Sequence, residues 1–318
     1  MIGFQYPSLY DELAEQGLVL RIPTPPVAGR VDADRAWCSQ LVGAMLWFAS
    51  QEGATFVWRG QSDARWPLQP RLNRYVTTQL GGTTLADIAR EEREIVGWIR
   101  HQHWDRAGQP PSGQQLRFLE LLAVLQHHGI PTRMLDVTRD PLVAAFFASD
   151  SRGATNTELD GAVVAIRIPD HAYVHDSTRA ARATSFEAGT SFQPATAPYA
   201  LYEPPGLDMR FIAQRGLFLV PNPARAMTSE GPYAPLAAIG IGIEHAKGAY
   251  TGTIDGFFTS FFREAAASRP PKSPVNVMMI IIPAQKKAAL RTYLTLSGLT
   301  TDTLFPDLAG YAGSFPPC

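Results

Sequence analysis

The stretch Phe56-Val57-Trp58-Arg59-Gly60-Gln61-Ser62-Asp63 places an arginine at the end of an apolar, aromatic run. The run reads as a buried strand, and a buried charge without a partner is costly. A guanidinium there offers a planar fork suited to a phosphate or a carboxylate. Gly60, beside it, lets a ligand approach the backbone closely. The competing reading pairs Arg59 with a core acid such as Glu120 or Asp136.

A second polar concentration is "LQHHGIPTRMLDVTRDP" at 125–141. It sets Gln126, His127, His128, Thr132, Arg133, Asp136, Thr138 and Asp140 between two apolar helical segments. Neighbouring histidines on a helix do not share a face, and no third ligand follows at a metal-binding spacing. No metal is therefore expected. Asp136 and Thr138 alternate along an extended piece, so their side chains share one side and could form a hydrogen-bonding wall. Asp140, or in its place Thr138, is expected to cap the helix that Pro141 opens. Gln214, in "RFIAQRGLFLV", is a further polar residue that packing does not require; it could instead satisfy a neighbouring backbone group.

Helices and strands must position these groups. "VDADRAWCSQLVGAMLWFASQEG" repeats Trp37, Leu41, Met45 and Phe48 at helical spacing, with Asp32 or Asp34 as cap and Gly53 as stop. The spacing predicts further helices over residues 84–104, over "QLRFLELLAVLQHHG" ended by Gly129, over "PLVAAFFAS" and over "AQKKAALRTYLTLSG". Strands are expected at "ATFVWRG", "GAVVAIRIP" (161–169), "RFIAQRGLFLVP" (210–221) and "NVMMIIIP" (276–283). Their short continuous apolar runs suit central strands. "QSDARWPLQPRLNR" reads as a loop stiffened by Pro67 and Pro70. Its Arg65, Arg71 and Arg74 are either a basic cluster for a polyanion or an ordinary solvated loop. Residues 222–275 look like an insertion with a short aromatic helix around "DGFFTSFFREAAA". Phe305, Leu308 and Tyr311 look like a cap on the core, with Asp307 in a turn. The domain reading is a lead-in and helix at 1–54, then one α+β domain over 55–313.

The 318 residues are 45% hydrophobic and 18% charged with a formal net charge of -1, so composition gives no push toward duplex nucleic acid. Two cysteines, Cys38 and Cys318, make no disulfide framework. No run approaches the roughly 18 apolar residues of a membrane span, and the acidic N-terminal stretch is unlike a signal peptide. A cytoplasmic protein with no membrane partner is expected. Walker, GxGxxG and GxSxG patterns are absent from the sequence.

Trp58-Arg59-Gly60, together with "RGQSDARWPLQPRLNR", "LLAVLQHHGIPTRMLDVTRDPLVAAFFAS", "RFIAQRGLFLVP", "IIIPAQKKAAL" and "LSGLTTDTLFPDLAG", resembles the FRG domain family. That family is named for Phe/Tyr-Arg-Gly, and here a tryptophan takes the aromatic place. The family in turn looks like a distant branch of the ADP-ribosyltransferase superfamily. The resemblance implies a single α+β domain with a split, mixed β-sheet core of ADP-ribosyltransferase type, flanked by helices, and NAD⁺ as substrate. By that resemblance Arg59 grips a ribose or phosphate and the Gly60 backbone receives the nicotinamide amide. The Asp136/Thr138 segment stands as the second motif and the strand at Gln214 as the third. Arg59, Gln214 and Asp136 are the implied catalytic residues. Arg59, Gly60, Thr138, Thr132 and His128 are the implied NAD⁺ contacts.

The sequence departs from that pattern at the third motif, where many members carry a glutamate and this chain has Gln214. Breaking the nicotinamide–ribose bond builds positive charge on the ribose, which a carboxylate stabilises. A glutamine can orient a hydroxyl but supplies no charge, and Asp136 is the first candidate to substitute. The resemblance implies a toxin or phage-defence effector that transfers ADP-ribose to a protein or nucleic-acid acceptor, with an antitoxin or regulatory partner. The alternatives are a catalytically silent nucleotide-sensing module and a nuclease-type toxin with His127 or His128 as general base.

Overall fold

The computed structural model describes residues 9–24, 29–50, 55–82, 85–107, 114–150, 158–168, 173–174, 199–204, 209–221 and 276–306. In chain order these form α1 (Leu9–Glu15), β1 (Val19–Arg21), α2 (Arg30–Ala49), β2 (Thr55–Gln61), α3 (Arg71–Gln79) and α4 (Leu85–His101). A small hairpin of β3 (Arg106–Ala107) and β4 (Gln114–Gln115) precedes α5 (Phe118–His127), β5 (Leu135–Thr138) and α6 (Pro141–Ala148). Then come β6 (Gly161–Ile168), β7 (Tyr173–Val174), β8 (Tyr199–Tyr202), α7 (Met209–Ala213), β9 (Gly216–Pro221) and β10 (Val277–Ile282). The chain continues through α8 (Lys287–Leu296) and α9 (Thr301–Leu304).

Eight strands build one mixed sheet in the order β1-β10-β6-β2-β5-β9-β8-β7. The two edge pairs, β1 with β10 and β7 with β8, are parallel; the pairs between are antiparallel. The fold is therefore α+β. Every residue of β10 is buried, and β6 is buried except at Arg167. This explains their continuous apolar sequences, since both faces of these strands are covered. One core joins α2 and α6 to the β10-β6-β2 side of the sheet, with Trp37, Phe48, Trp58 and Phe146 at its centre. A second lies under α4 and α5, where Val96, Ile99, Phe118 and Leu122 meet Phe218 and Val220 of β9. Strand β9 serves both, because Leu217 and Leu219 point to the first core and Phe218 and Val220 to the second.

The sheet is nearly interrupted at its middle. β2 pairs with β6 along all seven of its residues but with β5 only through Trp58 and Thr138. Beyond that pair the two strands part. On the β6 side, Gly60 and Gly161 let the end of α6 lie directly on the strands. A Cβ at Gly60 would fall 1.9 Å from the Ala144 carbonyl oxygen, and one at Gly161 would fall 2.1 Å from that of Ala148.

Several sequence expectations change. "RFIAQRG" is the short helix α7 and a turn, so the strand starts only at Gly216. Arg215, at φ 46, reverses the chain there, and the missing side chain of Gly216 makes room for the Phe211 ring, 2.8 Å from an added Cβ. The loop after Pro70 becomes α3, which begins at Arg71. No side chain caps α2 at its Gly29 end, because the helix starts at Arg30 and takes Asp32 and Asp34 inside it; Asp34 instead accepts from Lys286 Nζ at 2.6 Å. The N-terminal lead-in contributes β1 to the sheet. The stops at Gly129 (φ 77) and the Asp140 cap, accepting from Leu142 N at 2.9 Å, stand as expected. Gly53, the stretch 222–275 with the aromatic helix expected there, Asp307, Leu308, Tyr311 and Cys318 lie outside the described residues. No helix among the described residues is long and apolar enough to cross a membrane.

Candidate functional site: an arginine-lined cleft at the split of the sheet

Where β2 leaves β5, a cleft of about 370 Å³ opens. Arg59 and Gly60 come from β2, Arg71 and Arg74 from α3, and Gln126 and His127 from α5. Asp136 and Thr138 of β5 line it with Arg210, Phe211 and Gln214. The strand end, two helices and the α7 turn thus bring together groups spread over some 150 positions of sequence.

Arg59 spans the split. Its Nη1 donates to the Asp136 carbonyl oxygen at 2.6 Å and lies 3.9 Å from the Asp136 carboxylate. The guanidinium thus bonds a carbonyl that an unbroken sheet would bond by backbone. Its Nε is buried with no hydrogen-bond partner, which leaves a donor unsatisfied at a cost. Burial lowers the pKa of Arg59; Asp136 opposes that, and Arg74 adds to it. Arginine keeps its proton regardless. Of the two acids the sequence proposed as partners, Asp136 is the one in reach. It is no core carboxylate, however, because its side chain is 61% exposed.

Arg74 is lowered in the same direction by burial and then by Arg71, with Asp136 again opposing. Among the described residues the guanidiniums of Arg71 and Arg74 make no hydrogen bond or ion pair; the Arg74 carbonyl accepts from the Thr78 hydroxyl at 2.7 Å. Arg65, grouped with them by sequence, is instead held by Asp63 through bonds of 3.0 and 2.9 Å. Arg210 lies 4.4 Å over the Phe305 ring. Among the described residues four arginines therefore face one carboxylate across the cleft.

That carboxylate is held in place. Met134 N donates to Thr132 Oγ1 at 3.1 Å, and the Thr132 hydroxyl donates to Gln126 Oε1 at 2.7 Å. The amide orientation so fixed turns Gln126 Nε2 onto Asp136 Oδ2 at 2.9 Å. Thr132, fully buried, thus acts from behind the cleft wall. Thr138 Oγ1 donates to the Gln214 carbonyl at 2.7 Å and accepts from Asp140 N at 3.0 Å. The Gln214 amide donates to the Leu304 carbonyl at 2.9 Å.

Of the residues proposed from sequence, Arg59, Gly60, Asp136, Thr138 and Gln214 meet at the cleft. His127 also lines it, while His128 does not; both rings are exposed and meet edge-on at 5.2 Å. The glycine at position 60 has a packing reason, since α6 occupies the space of its missing side chain, although its backbone faces the cleft. Arg133, from the same stretch as Thr132, is buried against Glu92 on α4 with its Nε at 2.8 Å. Among the described residues no group of three or more His, Cys, Asp or Glu could hold a metal ion. Sequence reasoning singled out Gln126 within its polar stretch but gave it no role, and it missed Arg210 and Phe211 as site residues. It saw Arg71 and Arg74 but not the helix that turns them inward; the i,i+3 spacing after Pro70 is the sequence signal for that.

An α+β chain with a cationic cleft at the split of a mixed sheet is the class these observations define. Residues 54–157 match the FRG domain family, and the chain carries an FRG domain there. The match takes in β2 through α6, and so Arg59, Arg71, Arg74, Gln126, Asp136 and Thr138, but ends before α7 and β9. No curated protein and no solved structure matches the chain.

Proposed function

We propose that the cleft binds NAD⁺ and cleaves its nicotinamide–ribose bond, passing ADP-ribose to an acceptor or to water. The carrying observation is the convergence of Arg59, Arg71 and Arg74 on a cleft whose one carboxylate among the described residues is Asp136. An arginine cluster with unsatisfied donors suits a pyrophosphate. In the step itself nicotinamide leaves with the electron pair of the glycosidic bond. The charge left on ribose C1′ is met by the acceptor nucleophile, which gives up its proton. Asp136, oriented by Gln126, supplies the compensating charge that Gln214 does not. The near-interrupted sheet agrees with the resemblance to the ADP-ribosyltransferase superfamily. That resemblance also supplies the toxin or phage-defence setting, the protein or nucleic-acid acceptor and an antitoxin partner.

The test is nicotinamide release from NAD⁺ by the purified protein. Arg59→Ala removes a charge-assisted contact of about 1.5–3 kcal/mol and is expected to weaken NAD⁺ binding about 10- to 100-fold. Asp136→Asn is expected to leave binding within a few-fold and to abolish release. A folded Arg59→Ala protein with wild-type NAD⁺ affinity would refute the reading. A second reading, a binding module without turnover, is favoured by the Gln214 amide being taken up by Leu304. It requires NAD⁺ to raise Tm with no nicotinamide released under any acceptor condition. Release from wild type that persists in His127→Ala favours the first reading over both the binding module and a histidine-based nuclease.

A further inference from the structure

The dinucleotide pyrophosphate does not account for all the positive charge in the cleft. Among the described residues the four lining arginines exceed the one aspartate by three charges. The pyrophosphate of NAD⁺ carries two negative charges, partly offset by the nicotinamide's own positive one. Arg59 reaches across the split to β5 and Arg210 is held over Phe305. Arg71 and Arg74 stand one helical turn apart on α3, so they share a face. Among the described residues their guanidiniums make no hydrogen bond or ion pair, and Arg71 adds to the lowering of Arg74 while Asp136 opposes it.

We propose that Arg71 and Arg74 form a subsite for a phosphomonoester beyond the pyrophosphate, a compact dianion that a pair of guanidiniums can hold through several charge-assisted bonds. This inference builds on the nucleotide reading of the same cleft. The phosphomonoester has two chemical sources: the nucleotide itself, as in a 2′-phosphorylated NAD⁺, or a phosphate-bearing acceptor bound beside it. Arg71 is exposed and Arg74 half-buried, so exchange for glutamine removes charge at no great cost to the core.

The experiment compares wild type with the Arg71→Gln/Arg74→Gln double variant and with Arg74→Lys, all at fixed ionic strength because exposed charges are screened. NAD⁺, its 2′-phosphorylated form and inorganic phosphate are titrated separately, and inorganic phosphate again in the presence of NAD⁺. If the nucleotide carries the group, the 2′-phosphorylated form binds wild type about tenfold or more tightly than NAD⁺ does. The double variant then loses that preference, its affinity for the 2′-phosphorylated form falling further than its affinity for NAD⁺, and Arg74→Lys keeps part of it. If the group belongs to the acceptor, the two dinucleotides bind alike, and inorganic phosphate raises the Tm of wild type but not of the double variant. Equal response of wild type and double variant to both the 2′-phosphorylated dinucleotide and inorganic phosphate overturns the subsite. Arginine-dependent binding of phosphate with no binding of either dinucleotide would sink the NAD⁺ reading and leave the subsite standing.

Discussion

Alanine at position 60 separates two explanations of the glycine beside Arg59: room for α6, or room for a ligand. The added Cβ would lie 1.9 Å from the Ala144 carbonyl oxygen and 2.8 Å from both Ala148 N and Phe147 Cβ. Reaching even 3.0 Å from that oxygen takes a movement of about 1 Å, and the obstacles are largely helix backbone, which no rotamer change can clear. Helix α6 carries Val143, Ala144, Ala145, Phe146 and Ala148 into the main core, so its shift disturbs packing well beyond one contact. Overpacking costs typically about 1–3 kcal/mol, and a backbone obstacle places Gly60→Ala at the upper end, about 3 kcal/mol. Gly43→Ala and Gly97→Ala are the internal controls. Both lie inside helices with nothing within 4 Å of an added Cβ. Each should gain about 0.5–1 kcal/mol. Urea unfolding reads all three as shifts of midpoint at constant slope. Gly161→Ala pushes on the same helix end, at the Ala148 carbonyl, so the double variant should lose less than the sum of the singles. A Gly60→Ala protein within about 0.5 kcal/mol of wild type, yet unable to bind NAD⁺, would refute the packing explanation and return the glycine to the ligand.

Three further outcomes are expected. Arg133→Met takes the ion-pair partner from Glu92, 1% exposed on α4, at a cost of about 3–5 kcal/mol; adding Glu92→Leu should recover most of it in urea unfolding. Burial first, and Asp34 second, raise the Cys38 thiol to about 11, with Lys286 and a backbone bond opposing. The folded protein then keeps a proton that the unfolded chain releases near pH 9. Stability is complete below that pH and falls as pH climbs toward 11, and unfolding measured between pH 8 and pH 10.5 should show a fall that Cys38→Ala removes. Gln126→Leu takes the donor from Asp136 and is expected to lower nicotinamide release more than NAD⁺ affinity, whereas equal losses of both would argue against a positioning role.

The amino-acid sequence by itself determined the helices and strands that rest on long periodic or continuous apolar runs. β6, β10, α2, α4 and α5 all follow from it, because burial on one stripe or on both faces leaves a direct mark on residue type. Local chemistry fixed the Gly129 stop and the Asp140 cap for the same reason: each depends on a few adjacent residues. Arg59 was legible as an oddity, a charge at the end of a buried strand. Short segments were not legible. "RFIAQRG" carries an apolar pattern that suits helix or strand, and only the docking of Phe211 against Gly216 and Phe218 decides for α7. The tertiary structure alone decided what Arg59 faces. Whether β2 continues into β5 or parts from it is set by how α6 seats on the two glycines and how α4 and α5 cover the other half. Pairs such as Arg59 with Asp136, or Gln214 with Leu304, join residues 77 and 90 positions apart. Nothing in a local window records such a meeting, since its energy comes from the packing of distant elements and not from the residues' own conformational preferences.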